Sequence, residues 1–570
     1  MAPALVLGPM LRHVGERDAT VWVETDGACE VEVLGASART FCVDGHHYAL
    51  VHVEGLEPGQ RHPYTVTLDG DPAWPPADSE LPAPSIPTIA VDRELRLVFG
   101  SCRVALPHDA PWALHQADHP VAQGVDALRT LALRMVGSSP SSWPDQLLML
   151  GDQVYADDLS PAMKARTAER GEPYDAPFDE LATFDEYAAA YAEAWGEPLV
   201  RWLLASVPTA MIFDDHEISA QWKLSRDWMD GLRATSWYED RIAAGLSAYW
   251  VYQHLGNLPP SELEELELLA LVHAEADAGD LLRGEMRDAD RQPGHSRWSF
   301  ARQLGRTRLV VIDSRAGRVL DPGGRMMVDG GEWRWIEEQA NGDHDHLLLA
   351  SSVPCVLSPG LHHLEEWTEL LVEGAWGGLV ARLAERVRQA GVFDHWASFP
   401  QSFRSLATLL EEVATGRRGP PPASVVMLSG DVHHCYLAEV GFPVGTGATS
   451  SVWQAVCSAY RKDLAPKEKR AMRLGNSTFA ARVTRALAAA AGAQPPPIGW
   501  RFERDPSYDN QVATLTLSRR SVHLRVETTA GCDWRDPRLR TTFEHSLTGP
   551  EESPGRAREG AAEPSAATSS

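Results

Sequence analysis

The chain has 570 residues, of which 44% are hydrophobic and 23% charged, and carries a formal net charge of −27. That length exceeds one ordinary core and predicts two or more domains, while the charge opposes non-specific binding to nucleic acid or to a membrane. No apolar run of about 18 residues appears, which excludes an ordinary transmembrane helix.

In chain order, the start Met1-Ala2-Pro3-Ala4-Leu5-Val6-Leu7-Gly8-Pro9 has no basic n-region and no twin arginine. Its apolar run is too short for a signal peptide, so it reads as a first strand and predicts a cytoplasmic protein. Thr20–Thr25, Val31–Leu34 and Tyr64–Leu68 continue as short alternating strands. They predict a small β-sandwich over residues 1–92, with a Pro-rich linker from Asp71 to Pro87. The Leu56-Glu57-Pro58-Gly59 turn before a Tyr-bearing strand is similar to fibronectin type III domains, a fold-level analogy.

From about residue 93 apolar runs alternate with long helical stretches, which predicts an α/β unit over 93–547. Its strand candidates are Leu95–Phe99, Leu147–Leu150, Ala210–Phe213, Leu309–Ile312, Leu347–Ala350 and Val425–Leu428, suited to a buried sheet. Helical insertions are expected over Asp158–Arg297 and Leu361–Arg418, the first with a mostly core set of tryptophans. Val512–Leu517 and Val522–Val526 read as a hairpin, and residues 548–570 as a disordered tail by composition. The basic stretch Lys467–Arg473 reads as a solvated helix face. Seven cysteines without paired spacing argue for reduced thiols.

Four strand ends carry chemistry. They run into Ser101-Cys102-Arg103, Gly151-Asp152-Gln153-Val154-Tyr155, Asp214-Asp215-His216-Glu217 and Gly430-Asp431-Val432-His433-His434. Clustered acids repel one another and suffer from desolvation. A bound metal pair removes that conflict, and it also lets an acidic protein accept an anionic substrate.

Taken together, the ordered motifs resemble the calcineurin-like metallophosphoesterases, and within them the alkaline phosphatase D group. Ile312-Asp313-Ser314-Arg315 belongs to the same likeness, which spans about residues 1–545. It implies an α/β (α+β) fold, with a β-sandwich core flanked by helices behind a small N-terminal all-β sandwich. It also implies a binuclear site. Asp152 would bridge two cations, with Cys102, Tyr155 and His433 on one and Asp215 and Asp431 on the other. Thiolate, phenolate and imidazole suit a transition ion, and carboxylates a hard cation. The resemblance makes these Fe3+ and Ca2+, with Mn2+ or Mg2+ as alternatives at the second site.

The implied reaction is hydrolysis of a small phosphate monoester or diester by in-line attack of a metal-generated hydroxide. His216 would protonate the leaving oxygen or stabilise charge there, Arg103 would grip a phosphate oxygen, His434 would touch substrate or metal, and Arg315 would contact substrate. For Arg315 a structural salt bridge is an equal expectation. Asp214 is expected to support the site or lie in an exposed turn, and Glu217 to cap or orient the neighbouring histidine. The superfamily usually offers one more metal-binding histidine, but Leu347–Pro354 ends without one. His344, His346, His362, His363 and His395 read as surface or packing residues. No nucleic-acid or membrane partner is expected. The competing readings are a non-catalytic binding protein on the same fold and a different metal-hydroxide hydrolase or oxidoreductase. The intact acids and histidines disfavour the first, and His216 the second.

Overall fold

A computed structural model describes residues 2–170, 177 and 179–548; the predicted tail, apart from Thr548, lies outside the described residues. Residues 5–87 form two antiparallel four-stranded sheets and a two-stranded ribbon. Their inward positions, Leu11, Val21, Val31, Val51 and Val66 among them, share one core. Alternation of apolar and polar residues drives this, because side chains at successive strand positions point to opposite faces.

The six apolar runs predicted as strands do form, and they divide between two sheets, as the sandwich core implied by the resemblance requires. Leu95–Gly100, Gln146–Leu150 and Thr209–Ile212 lie parallel in a six-stranded sheet. The antiparallel hairpin Gln511–Ser518 and Ser521–Thr528 extends that sheet, and Arg540–Ser546 completes it. Thr307–Ile312, His346–Ser351 and Ser424–Ser429 lie parallel in a seven-stranded sheet.

The period of two then assigns each face. Leu309, Val311, Leu348, Ala350, Val426 and Leu428 share a core with Leu97, Phe99, Leu148 and Leu515 of the first sheet. The alternate residues Val310, Leu347, Leu349, Val425 and Met427 pack under helices Gly330–Gln339 and Pro400–Ala414. The two sheets therefore face each other as a sandwich with helices outside. A run buried on both faces looks alike in either sheet, which is why the split is invisible in composition.

Both insertions are helical. Trp195, Trp202 and Trp222 are fully buried, and Trp228 packs half-buried against the same core. The first insertion also ties the N-terminal sheets to the rest: Arg12 donates to the Gln253 carbonyl at 2.6 Å, and the Tyr48 and Tyr252 hydroxyls meet at 3.0 Å. Among the described residues no helix is long and apolar enough to cross a membrane.

Candidate metal centre

The carboxyl ends of both sheets meet at one place. Cys102, Asp152, Asp431 and His433 all have a left-handed backbone there, with φ of 58°, 51°, 65° and 50°. Non-glycine residues rarely accept that region, which costs about 1–3 kcal/mol each. Four instances at three converging turns mark a place where stability yields to side-chain placement. Glycines allow the approach. A Cβ on Gly430 would sit 2.2 Å from Ser101 Oγ, and one on Gly151 (φ 108°) would sit 2.7 Å from the Asp214 Cβ.

Two donor groups result. One thiol, carboxylate and imidazole atom from Cys102, Asp152 and His433 lie within 4.8 Å of one another, and so do carboxylate oxygens of Asp152, Asp214 and Asp215. Asp152 belongs to both groups. Tyr155 packs against Cys102, and its buried Oη has no hydrogen-bond partner; Asp152 Oδ1 and Asp214 Oδ2 are orphaned in the same way. The mixed S, N and O donor set, with these three atoms turned toward it, fits a pair of cations. Burial, reinforced by Asp152 and Asp431, pushes the Cys102 thiol well up. Burial also lifts the Asp152 carboxyl to about 7, with His216 opposing and Asp215 assisting. Burial, with Lys462 second, holds His433 down to about 3, as a neutral imidazole. Without a cation this cluster resists ionisation, and a cation reverses that preference.

Asp214 is fully buried, not part of an exposed turn, and its side chain caps the short helix Asp215–Glu217. Its partner is Arg315. That guanidinium, 1% exposed, is ion-paired with Asp214 and Asp394, and its Nη2 lies 3.5 Å from Asp215 and 3.6 Å from Asp431. This corrects the substrate-contact reading of Arg315: it is a buried counter-charge to four carboxylates. Asp431 lies outside both donor groups. Its carboxylate faces Arg315 and His395 Nε2, the latter at 3.3 Å. Burial would raise Asp431, but His395 and Arg315 outweigh it and hold the carboxyl well below the usual range.

His395 is a residue that sequence reasoning missed. It comes from the second insertion, where its Nδ1 is 2.7 Å from Glu365 Oε1. A histidine inside an insertion gives no local signal of such a contact. Asp157 was missed as well. Its Oδ1 lies 2.7 Å from His216 Nδ1, and it also accepts from the Ala220 backbone. Burial opposes the His216 imidazolium, yet Asp215 and Asp157 more than compensate and raise it well above the ordinary value. Glu217 accepts from the Gln153 and Asp214 backbone amides at 3.1 and 2.9 Å, so it ties two strand ends together rather than orienting His216.

Two further expectations are corrected. Arg103 is 4% exposed, and its Nε and Nη2 both bind Asp126 Oδ2 at 2.9 Å while Nη1 donates to the Ala194 carbonyl. Its fork is therefore committed within the fold. His434 is 2% exposed, bonds the Val432 carbonyl through Nδ1 at 2.6 Å, stacks on Tyr436 and packs tilted against Tyr508. It is a packing residue. Lys462 is a part-buried cation near the centre, whose Nζ lies 4.5 Å from the Tyr155 ring centre and pairs with Asp158. Beside it a cavity of about 350 Å3 has Tyr155, Leu106, Trp112, Val154, Met163 and Lys164 in its walls.

Two facing mixed sheets bring acids, a thiol and imidazoles together at their converging carboxyl ends. A family model described as PhoD-like phosphatase matches residues 132–500, and the chain belongs to that family. A domain of unknown function, DUF7800, matches residues 2–86. The solved structure of PhoD resembles this fold at a TM-score of 0.59 and 13% identity, covering 95% of this chain and 90% of that one. The purple acid phosphatase PPD1 of yellow lupin (Lupinus luteus) aligns at a TM-score of 0.43 and 11% identity, over 95% of this chain and 74% of the other. No curated protein sequence matches the chain.

Proposed function

We propose that this phosphatase works through two cations that share Asp152, with Cys102, Tyr155 and His433 holding the first and Asp214 and Asp215 the second. The observation that carries this reading is the convergence of the two donor groups on Asp152, each within 4.8 Å. Asp214 enters the set in place of the more remote Asp431. When bound, the metals supply Lewis acidity toward the phosphoryl oxygens and lower the pKa of water. Thiol, phenol and imidazole donors favour ferric iron at the first position, and carboxylates favour calcium, manganese or magnesium at the second.

The chain's own groups then divide the remaining work. His216, held through Nδ1 by Asp157, presents Nε2 to the leaving oxygen and donates its proton there. Lys462 offers a point charge to the phosphate at the rim. The cavity beside Tyr155, whose walls mix Leu106, Trp112 and Met163 with Gln153, Asp158, Lys164 and Glu193, accepts the organic group of an ester that carries polar substituents. All seven cysteines are free, which supports a reducing compartment such as the cytoplasm.

The test is metal analysis of the purified chain together with assays on p-nitrophenyl phosphate and bis-p-nitrophenyl phosphate. Two metals per chain and hydrolysis of at least one ester are expected. A visible charge-transfer band should disappear in Tyr155→Phe or Cys102→Ser. One metal per chain in an active enzyme would overturn the binuclear reading.

A further inference from the structure

The segment that follows Lys462 folds into two consecutive helices, Pro466–Gly475 and Thr478–Ala490, the second packed on helix Pro359–Val372. Residues 466–490 hold six basic side chains, Lys467, Lys469, Arg470, Arg473, Arg482 and Arg485, against the single acid Glu468, in a chain whose net charge is −27. Only Lys469 among the six is ion-paired with an acid among the described residues, to Asp463 at 2.8 Å.

The same helices expose large apolar side chains: Leu474 is 69% exposed, Phe479 72% and Val483 41%. Scattered exposed apolar residues are ordinary, but these are not scattered. Phe479, Arg482, Val483 and Ala486 recur at three- and four-residue spacing on one outward face, while Thr484 and Ala488 are buried on the opposite one. Aromatic and aliphatic groups interleaved with arginines, and no acid in the whole helix Thr478–Ala490, is the pattern of a helix lying in a lipid interface. The apolar groups would enter the acyl boundary while the guanidinium groups meet phosphates.

The overall negative charge does not forbid this. At physiological salt a charge is felt over roughly 8 Å, so the local basic excess decides the encounter. The helices also connect to the candidate site. Arg473 lies 5.4 Å from the Tyr508 ring, and Tyr508 packs tilted against His434, next to His433.

We propose that this helical hairpin is a docking face for an anionic lipid surface and holds the catalytic unit against it. This revises the expectation of no membrane partner, and it stands independently of the metals. The experiment is co-sedimentation of the full chain with vesicles of phosphatidylcholine alone or mixed equally with phosphatidylglycerol. Binding is expected to the mixed vesicles only, weakened by high salt. Arg470→Glu/Arg482→Glu and Phe479→Asp should each reduce the bound fraction about tenfold. Melting temperature and hydrolysis of a soluble p-nitrophenyl ester should stay unchanged. Failure of the wild-type chain to sediment with either vesicle overturns the proposal, as does full binding by these variants. If Phe479→Asp instead converts a dimer to a monomer in light scattering with vesicle binding intact, the face joins two copies of the chain and the proposal fails.

Discussion

Asp152 Oδ1, Tyr155 Oη and Asp214 Oδ2 are buried polar atoms without hydrogen-bond partners. Each such atom costs about 1–3 kcal/mol of desolvation in the metal-free protein. The chain therefore spends stability to keep donors bare, and the two properties should separate on mutation. Asp152→Asn removes a buried charge from beside Asp215 while keeping the shape. The metal-free variant should be more stable than the metal-free wild type by about 1–2 kcal/mol in urea unfolding, yet retain no metal on desalting. A less stable metal-free variant would mean that Asp152 is held by interactions of the fold itself. Arg103 gives the opposite case, because its guanidinium neutralises buried Asp126, which caps helix Ala127–Val136. Arg103→Met leaves that carboxylate without its buried partner and should cost about 3–5 kcal/mol. KM for a phosphate ester should stay within about twofold in the folded fraction, whereas a phosphate-gripping arginine would raise it strongly.

Strand ends carry the site, and here the sequence was most informative. An apolar run followed by Gly-Asp or Asp-Asp-His states both the strand and the place where it stops, so Cys102, Asp152, Asp215 and His433 were legible as a set. What stayed hidden was tertiary. A salt bridge was one of two expectations for Arg315 and a supporting role one of two for Asp214, but that they partner each other in one buried pair follows only from how the sheets meet. His395 and Asp157 reach the centre from an insertion and a turn whose paths no local pattern dictates. The resemblance implied a sandwich, but which of the six similar runs joins which sheet was unreadable, since a strand buried on both faces carries no mark of its neighbours. Glycine at position 430 is a direct test of the strand-end geometry. Its replacement by alanine drives a methyl group into Ser101 and to 2.8 Å from the Leu150 carbonyl. Gly430→Ala should lose about 1–3 kcal/mol and some bound metal, since Ser101 precedes Cys102. Unchanged unfolding and metal content would show that the two turns do not need their close approach.

At the scale of the whole molecule, the N-terminal sheets, the first insertion and the sandwich share buried polar groups that water would otherwise solvate. His254 lies where they meet. It is 5% exposed, packs 5.0 Å from the Trp298 ring centre, and has an orphaned Nδ1. Burial, with Arg297 and Arg12 adding repulsion, holds it down to about 3 against an ordinary 6.5. His13, also mainly by burial, is held down to about 3 in the same way. The sign follows from proton uptake. Above pH 6.5 both folded and unfolded chains carry neutral His254, so its titration contributes nothing. Below that value the unfolded chain binds a proton that the folded chain refuses, so stability falls steadily as pH drops toward 3. One such histidine contributes a slope approaching about 1.4 kcal/mol per pH unit. His254→Phe keeps an aromatic ring against Trp298 and removes the proton. Urea unfolding of the metal-free chain between pH 6.5 and 5 should show the variant losing less stability than wild type, by about 1–2 kcal/mol over that interval. Equal slopes would mean that His254 accepts its proton in the folded state, and that the joint between the N-terminal sheets and the insertion admits water.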